Sequence, residues 1–155
     1  LALLKSRGFT PEMFARIHPA GALGRRLLVR VSDVMITDDL PLLGPEATMR
    51  QAVVLLAEKR GTVAVVDENR KLLGVVTSGD LTRLMEREES FFEIRVGDVM
   101  TREPRWIGPS ELGATALRMM EKGGRGGIMA MPVLDEERTV IGMVHLHDLM
   151  RAWVA

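Results

Sequence analysis

The stretch Gly74-Val75-Val76-Thr77-Ser78-Gly79-Asp80-Leu81 decides the reading of this chain, because it returns as Gly142-Met143-Val144-His145-Leu146-His147-Asp148-Leu149. The offset is 68 residues (148 − 80). In each copy a glycine opens an apolar run, a polar residue ends it, and an Asp three positions later precedes Leu. That order describes a strand running into a helix start. The repeat extends outward from this block. Val31-Ser32-Asp33-Val34-Met35 returns as Val96-Gly97-Asp98-Val99-Met100, offset 65 (98 − 33). Gly44-Pro45 returns as Gly108-Pro109, and Ala52, Leu55, Leu56 return as Ala116, Met119, Met120, both at offset 64 (108 − 44). The extra residues of the second copy fall in the glycine stretch and turn between blocks, where insertion costs little. A period of 64–68 residues that occurs twice is not a solenoid. It predicts two small modules packed about a pseudo-twofold axis.

Each module reads alike. Residues 48–60 carry Ala52, Val53, Leu55, Leu56 and Ala57 at helical spacing, and Thr48-Met49-Arg50-Gln51 fits a capping box. The β-branched run Val63–Val66, the polar turn Asp67-Glu68-Asn69 and the run Leu72–Val76 read as a hairpin. A second helix starts after Thr77-Ser78 and continues through Leu81, Leu84 and Met85. The second copy predicts helix 111–122, run 128–134, turn 135–137, run 140–144 and helix 146–152. With a short strand ahead of the first helix, each module is β-α-β-β-α, and the fold class is α/β (α+β). A module of about 60 residues buries too little surface to stand comfortably alone. The two sheets are therefore expected to pack together, with helices outside and clefts where the copies meet.

Composition narrows the function. The chain has 155 residues, with Lys plus Arg and Asp plus Glu at 21 each, so the formal net charge is zero. That balance leaves no electrostatic footprint for nucleic acid or an anionic membrane surface. Aromatic residues are 4%, too few to supply stacking platforms for single strands. The absence of cysteine excludes disulfides, thiolate metal sites and thiol catalysis. No stretch approaches the roughly 20 apolar residues of a membrane-spanning helix. His18, His145 and His147 are the three histidines; the His145-x-His147 pair would share one face of a strand, but two ligands without a third are a weak metal signal. The chain opens on Leu1 in mid-pattern and is read as a piece of a longer cytoplasmic protein.

The doubled Gly-h-h-Thr-x-x-Asp pattern and the doubled Asp-Val-Met motif resemble the CBS-domain pair, named for cystathionine β-synthase, over residues 28–155. The resemblance implies tandem CBS domains that hold an adenosine-containing ligand and regulate an attached domain. The first 27 residues add a second likeness. After the helix start Thr10-Pro11-Glu12 comes His18-Pro19-Ala20-Gly21-Ala22-Leu23-Gly24-Arg25. It resembles the His-Pro-Gly-Gly-x-Leu-Gly-Arg segment that ends the sugar isomerase (SIS) domain of bacterial D-arabinose-5-phosphate isomerases. Ala20 departs from that pattern, and Ala takes positive φ less readily than Gly. The expected organisation is an SIS tail and linker over 1–27, one CBS domain over 28–90 and another over 91–155. The resemblance also implies that His18 serves catalysis only in the full-length parent, and that this chain is inactive alone.

The candidate ligand-binding residues are Thr77, Asp80, Arg83, His145 and Asp148. A helix N-terminus offers free N–H groups to a phosphate, Thr77 adds a hydroxyl, and Asp80 accepts from ribose hydroxyls. The same residue types serve equally as helix caps without a ligand. Arg83 and Arg151 lie three residues past Asp80 and Asp148, the spacing of a surface ion pair as well as of a phosphate contact. In the second copy His145 stands where the first has Thr77, so a matching second nucleotide site is in doubt. The loop Gly123-Gly124-Arg125-Gly126-Gly127 fits no phosphate-binding fingerprint and reads as a flexible loop.

Three functions of different class follow. One is a regulatory pair that senses an adenine nucleotide (AMP, ADP or ATP) or a pathway nucleotide-sugar such as CMP-Kdo, attached to an isomerase of Kdo and lipopolysaccharide synthesis. A second is an assembly module without a ligand. A third is an enzyme fragment that keeps residual sugar-phosphate binding through His18. Apolar positions facing outward on helices 48–60, 78–88, 111–122 and 146–152 predict a homodimer, within a parent that is a tetramer.

Overall fold

The computed structural model describes residues 28–122 and 128–154. His18, with the whole of 1–27, and the glycine loop at 123–127 lie outside the described residues. The chain divides into two compact units. One holds Thr37–Trp106 and Leu134–Gly142; the other holds the described residues up to Ile36, Ile107–Val133 and the chain from Met143 on.

The first of these units is built on helix α2, Met49–Glu58, and strands β1, Leu42–Leu43, β2, Thr62–Val66, and β3, Leu72–Thr77. Thr48 caps α2 as its sequence predicts: Gln51 N–H donates to Thr48 Oγ1, and Thr48 N–H donates to Gln51 Oε1 at 3.0 Å. The helix then buries Met49, Ala52 and Leu56 at near-helical spacing. Strand β2 is buried along its whole length, which suits its β-branched Thr62, Val63, Val65 and Val66. β1 pairs parallel to β2, β2 antiparallel to β3, and β3 antiparallel to β4, Thr101–Arg102, giving the sheet order β1-β2-β3-β4. Gly74 makes the last pairing feasible, since a Cβ there would lie 2.6 Å from the Thr101 carbonyl oxygen. Helix α3, Ser78–Arg87, follows β3 without a break and anchors through buried Leu84. Met49, Ala52, Leu56, Val63, Val65, Val76, Leu84 and Val96 form one core cluster.

The turn from β2 to β3 is held by Asp67, whose Oδ1 accepts from the Asn69 and Lys71 N–H groups, and it places Arg70 at φ +63°. The turn 135–139 repeats this arrangement: Asp135 Oδ1 accepts from the Glu137 and Thr139 N–H groups, with Arg138 at φ +68°. The two turns lie in the same unit and meet at the Lys71–Thr139 bridge. Those positions are equivalent in the repeat (139 − 71 = 68). Val66, Leu134 and Val140 bury a small second cluster beneath them.

The other unit carries α1, Val31–Val34, α5, Gly113–Glu121, and α6, Leu146–Val154, with most of strand β5, Ala130–Leu134, and half of strand β6, Val140–His145. β5 and β6 form a two-stranded sheet. Val31, Ala116, Met120, Met131, Met143 and Leu149 are among its buried residues.

The Asp-Val-Met motif, which sequence patterning does not separate from the short lead strand, is a single helical turn in both copies: α1 and α4, Val96–Val99. In α1 the Asp33 carboxylate accepts from the Arg30 N–H at 2.9 Å. Met35 and Met100 then return to extended backbone, and the strand pairing begins after them.

The segment leading into each copy lies over the helix of the other. Gly113 N–H donates to the Val29 carbonyl at 2.7 Å, Val31 N–H to Glu111 at 2.8 Å and Ser32 N–H to Pro109 at 2.9 Å. Met49 N–H donates to the Ile94 carbonyl at 2.8 Å, Arg50 N–H to Phe92 at 3.0 Å and Val96 N–H to Ala47 at 2.7 Å. The first N–H groups of α2 and α5, which have no partner within their own helices, are satisfied this way.

Candidate functional site

The N-terminus of α3 brings Thr77, Asp80 and Arg83 together. Thr77 ends β3 in extended conformation and becomes the N-cap. Its Oγ1 accepts from the Asp80 N–H at 3.2 Å, while Asp80 Oδ2 accepts from the Thr77 N–H at 2.9 Å and from its hydroxyl at 3.1 Å. Thr and Asp at this spacing form a reciprocal box, with the carboxylate in the role more often filled by Glu or Gln. Asp80 Oδ1 accepts from Arg83 Nη2 at 2.6 Å. The Asp80 side chain is 11% exposed and that of Arg83 is 68% exposed. Both readings of the sequence therefore meet in one place: the cap and the ion pair are formed, by the same groups that could serve a phosphate and a ribose.

The N-terminus of α6 repeats the acidic and basic members. Arg151 Nη2 donates to Asp148 Oδ1 at 2.7 Å, with side chains 68% and 12% exposed. The third member differs. His145 is only 5% exposed and its Nδ1 lies 4.0 Å from Asp148 Oδ2, a separation at which strong attraction requires a protonated imidazole. Where α3 begins Ser78-Gly79, α6 begins Leu146-His147.

Gly79 is a feature of the site that residue-type reasoning passes over. It is exposed, and a Cβ built on it would lie 3.5 Å from both Thr77 Oγ1 and Arg83 Nη1. The backbone of the first turn of α3 is thus bare on the side that Thr77 and Arg83 share. The signal is present in the sequence as a glycine in the first turn of a helix, a position with no turn to make.

Among the described residues no three His, Asp or Glu side chains are grouped to hold a metal ion. No helix there is long and apolar enough to cross a membrane.

Comparison with known proteins bears on both copies. Over 156 aligned residues the chain is 40% identical to the arabinose 5-phosphate isomerase KdsD of Yersinia pestis, covering 99% of this chain and 46% of the relative. The chain thus spans about half the length of the curated relatives it matches. Among solved structures it is similar to CBSX2, an Arabidopsis thaliana protein, in complex with AMP: 28% identical, TM-score 0.70, covering 81% of this chain and 96% of that one. It also shares its fold with the CBS domain pair of protein MJ0100, solved with 5′-methylthioadenosine and S-adenosyl-L-methionine, at 23% identity and TM-score 0.71, covering 82% and 97%. The model of the CBS domain matches residues 31–87 and again 96–155, one match for each copy of the repeat, and the chain belongs to the CBS domain family.

Proposed function

We propose that this chain is the regulatory part of an arabinose-5-phosphate isomerase and that it binds an adenine nucleotide at the N-terminus of α3. The observation that carries the reading is the Thr77–Gly79–Asp80 arrangement: a capped helix start with a side-chain-free backbone and a carboxylate beside it. Asp80 takes the ribose hydroxyls, the Gly79 N–H and Thr77 take a phosphate, and Arg83 adds charge to the phosphate end. His145 and Asp148 are the corresponding pair of the second copy, with the imidazole filling the place of the hydroxyl. An adenine nucleotide is preferred to CMP-Kdo because the 28%-identical CBSX2 structure holds AMP.

In this reading residues 1–27 end the SIS domain of a cytoplasmic enzyme, 28–90 and 91–155 are its CBS domains, and His18 acts at the sugar phosphate of the parent. D-arabinose 5-phosphate and D-ribulose 5-phosphate are the parent's substrate pair, at the head of Kdo synthesis. The exposed Val54, Met85 and Met150 on α2, α3 and α6 favour a homodimer, which would stand equally if the pair served assembly alone, and the parent is then a tetramer.

Thermal-shift measurements with AMP, ADP, ATP and CMP-Kdo test the reading. A ligand at 100 times its Kd stabilises by about 2.7 kcal/mol, well above detection. Stabilisation by an adenine nucleotide that is lost in Asp80→Ala supports the site. No shift with any of the four leaves the assembly reading standing.

A further inference from the structure

We infer that Arg83 is an internal occupant of the α3 site, displaced by ribose and recaptured by phosphate, and that it sets the preference for nucleotide over nucleoside. The inference rests on the adenine-nucleotide reading of this site. Asp80 Oδ2 is engaged by the Thr77 N–H and hydroxyl, which hold the helix start. Oδ1 is the oxygen that faces away from the cap, and Arg83 Nη2 sits on it at 2.6 Å. The guanidinium does not extend along the helix. It folds back over the first turn, where a Cβ on Gly79 would lie 3.5 Å from Nη1 and 3.7 Å from Nη2. A Cβ at those distances would be in ordinary contact, so it is the Asp80 pairing that holds the guanidinium there.

A ribose hydroxyl that takes Oδ1 must move this guanidinium. The displacement is easy, because an ion pair whose Arg is 68% exposed is weak. The released head group already stands over the Gly79 backbone, where a phosphate would lie. Its planar fork matches phosphate oxygens, so a nucleotide returns to Arg83 what the ribose took from it. A nucleoside offers no anion, and Arg83 remains a competitor. The second copy keeps the pair, Arg151 to Asp148 at 2.7 Å, but has His147 at the position of Gly79, and so serves as the internal control.

Isothermal titration of the 155-residue chain with AMP and with adenosine, for the parent sequence and for Arg83→Met, Arg83→Lys and Arg151→Met, tests this. Arg83→Met keeps the stem and the helix propensity. It should weaken AMP about tenfold, the loss of one charge-assisted contact. It should tighten adenosine about two- to fivefold, the release of a weak surface pair. Arg83→Lys should retain part of the AMP affinity, and Arg151→Met should change neither ligand. The opposite signs for the two ligands are the signature. An equal loss for both, or no change in either, in Arg83→Met and Arg83→Lys overturns the role given to Arg83. Failure of the unsubstituted chain to bind either ligand overturns the site itself, which is a separate outcome.

Discussion

Helices α3 and α6 start from the same sequence block and differ at their first turns. Both carry an Asp at the third helical position paired to an Arg one turn on, at 2.6 and 2.7 Å, with nearly equal exposure. Before the Asp, α3 has a hydroxyl and a bare backbone, while α6 has a buried imidazole, Leu146 and His147. The acid–base pair is thus common to both copies, and it is the residues before the Asp that differ. The residues around it decide whether anything else fits. Their anchoring differs too: α3 buries Leu84, whereas α6 buries Leu149, whose counterpart in the first copy is the half-buried Leu81.

Stability offers the largest effect. Leu84→Ala and Leu149→Ala should each cost about 2–5 kcal/mol, and Leu81→Ala clearly less, in urea unfolding. If Leu81→Ala matches Leu149→Ala, the two helices are anchored alike and the contrast is lost. Ligand affinity comes next. Asp80→Ala should weaken AMP tenfold or more, about 1.4 kcal/mol, while Asp148→Ala leaves AMP affinity within about twofold. A larger loss from Asp148→Ala would move the site to α6. Each variant also loses its pairing to Arg83 or Arg151, and Asp80→Ala a cap contact as well, so their ligand-free melting temperatures are compared first. A reciprocal exchange is sharper, though smaller in energy. His145→Thr with His147→Gly copies the first-copy residues onto α6 and should raise AMP stoichiometry from one to two per chain by titration calorimetry. A stoichiometry of one would mean that more than these side chains separates the two helix starts. The smallest effect is the cap alone. Thr77→Val should cost about 1 kcal/mol in unfolding free energy, and a neutral result would show that the Asp80 side of the box suffices.

Much of this was legible because it is local. The Thr48–Gln51 box, the hairpin about Asp67 and the strand-to-helix junction at Thr77 are each determined within a few residues, and their periodicity and capping residues mark them. The doubling of the pattern carried the fold class, because two copies in register restrict how the sheets are built. The single-turn helices α1 and α4 fall below the length at which helical spacing can be recognised. Which copy each lead-in segment covers was not legible either. Val29 meets Gly113, and Phe92 meets Arg50, through backbone atoms that carry no sequence signature. At the start of α3, Thr77, Asp80 and Arg83 were legible as neighbours from their spacing alone, and the structure joins them there. The fold-back of Arg83 over the first turn depends on a side-chain rotamer, which has no periodicity to read.

The crossing of the lead-in segments bears on when the chain can fold. Gly113 waits for no later residue to meet Val29, but the unit that contains them also needs Met143, which bonds Ile36 in both directions. The other unit needs Leu134–Gly142 to complete the cluster around Val66. Neither unit is complete until synthesis has passed Gly142, more than a hundred residues after Ile36. Such long-range closure slows folding, since the entropy of bringing distant segments together precedes the contacts that reward it. A nascent chain halted between the copies would expose β2 and the apolar face of α2 without their cover, and aggregation rather than a stable half is the expected fate.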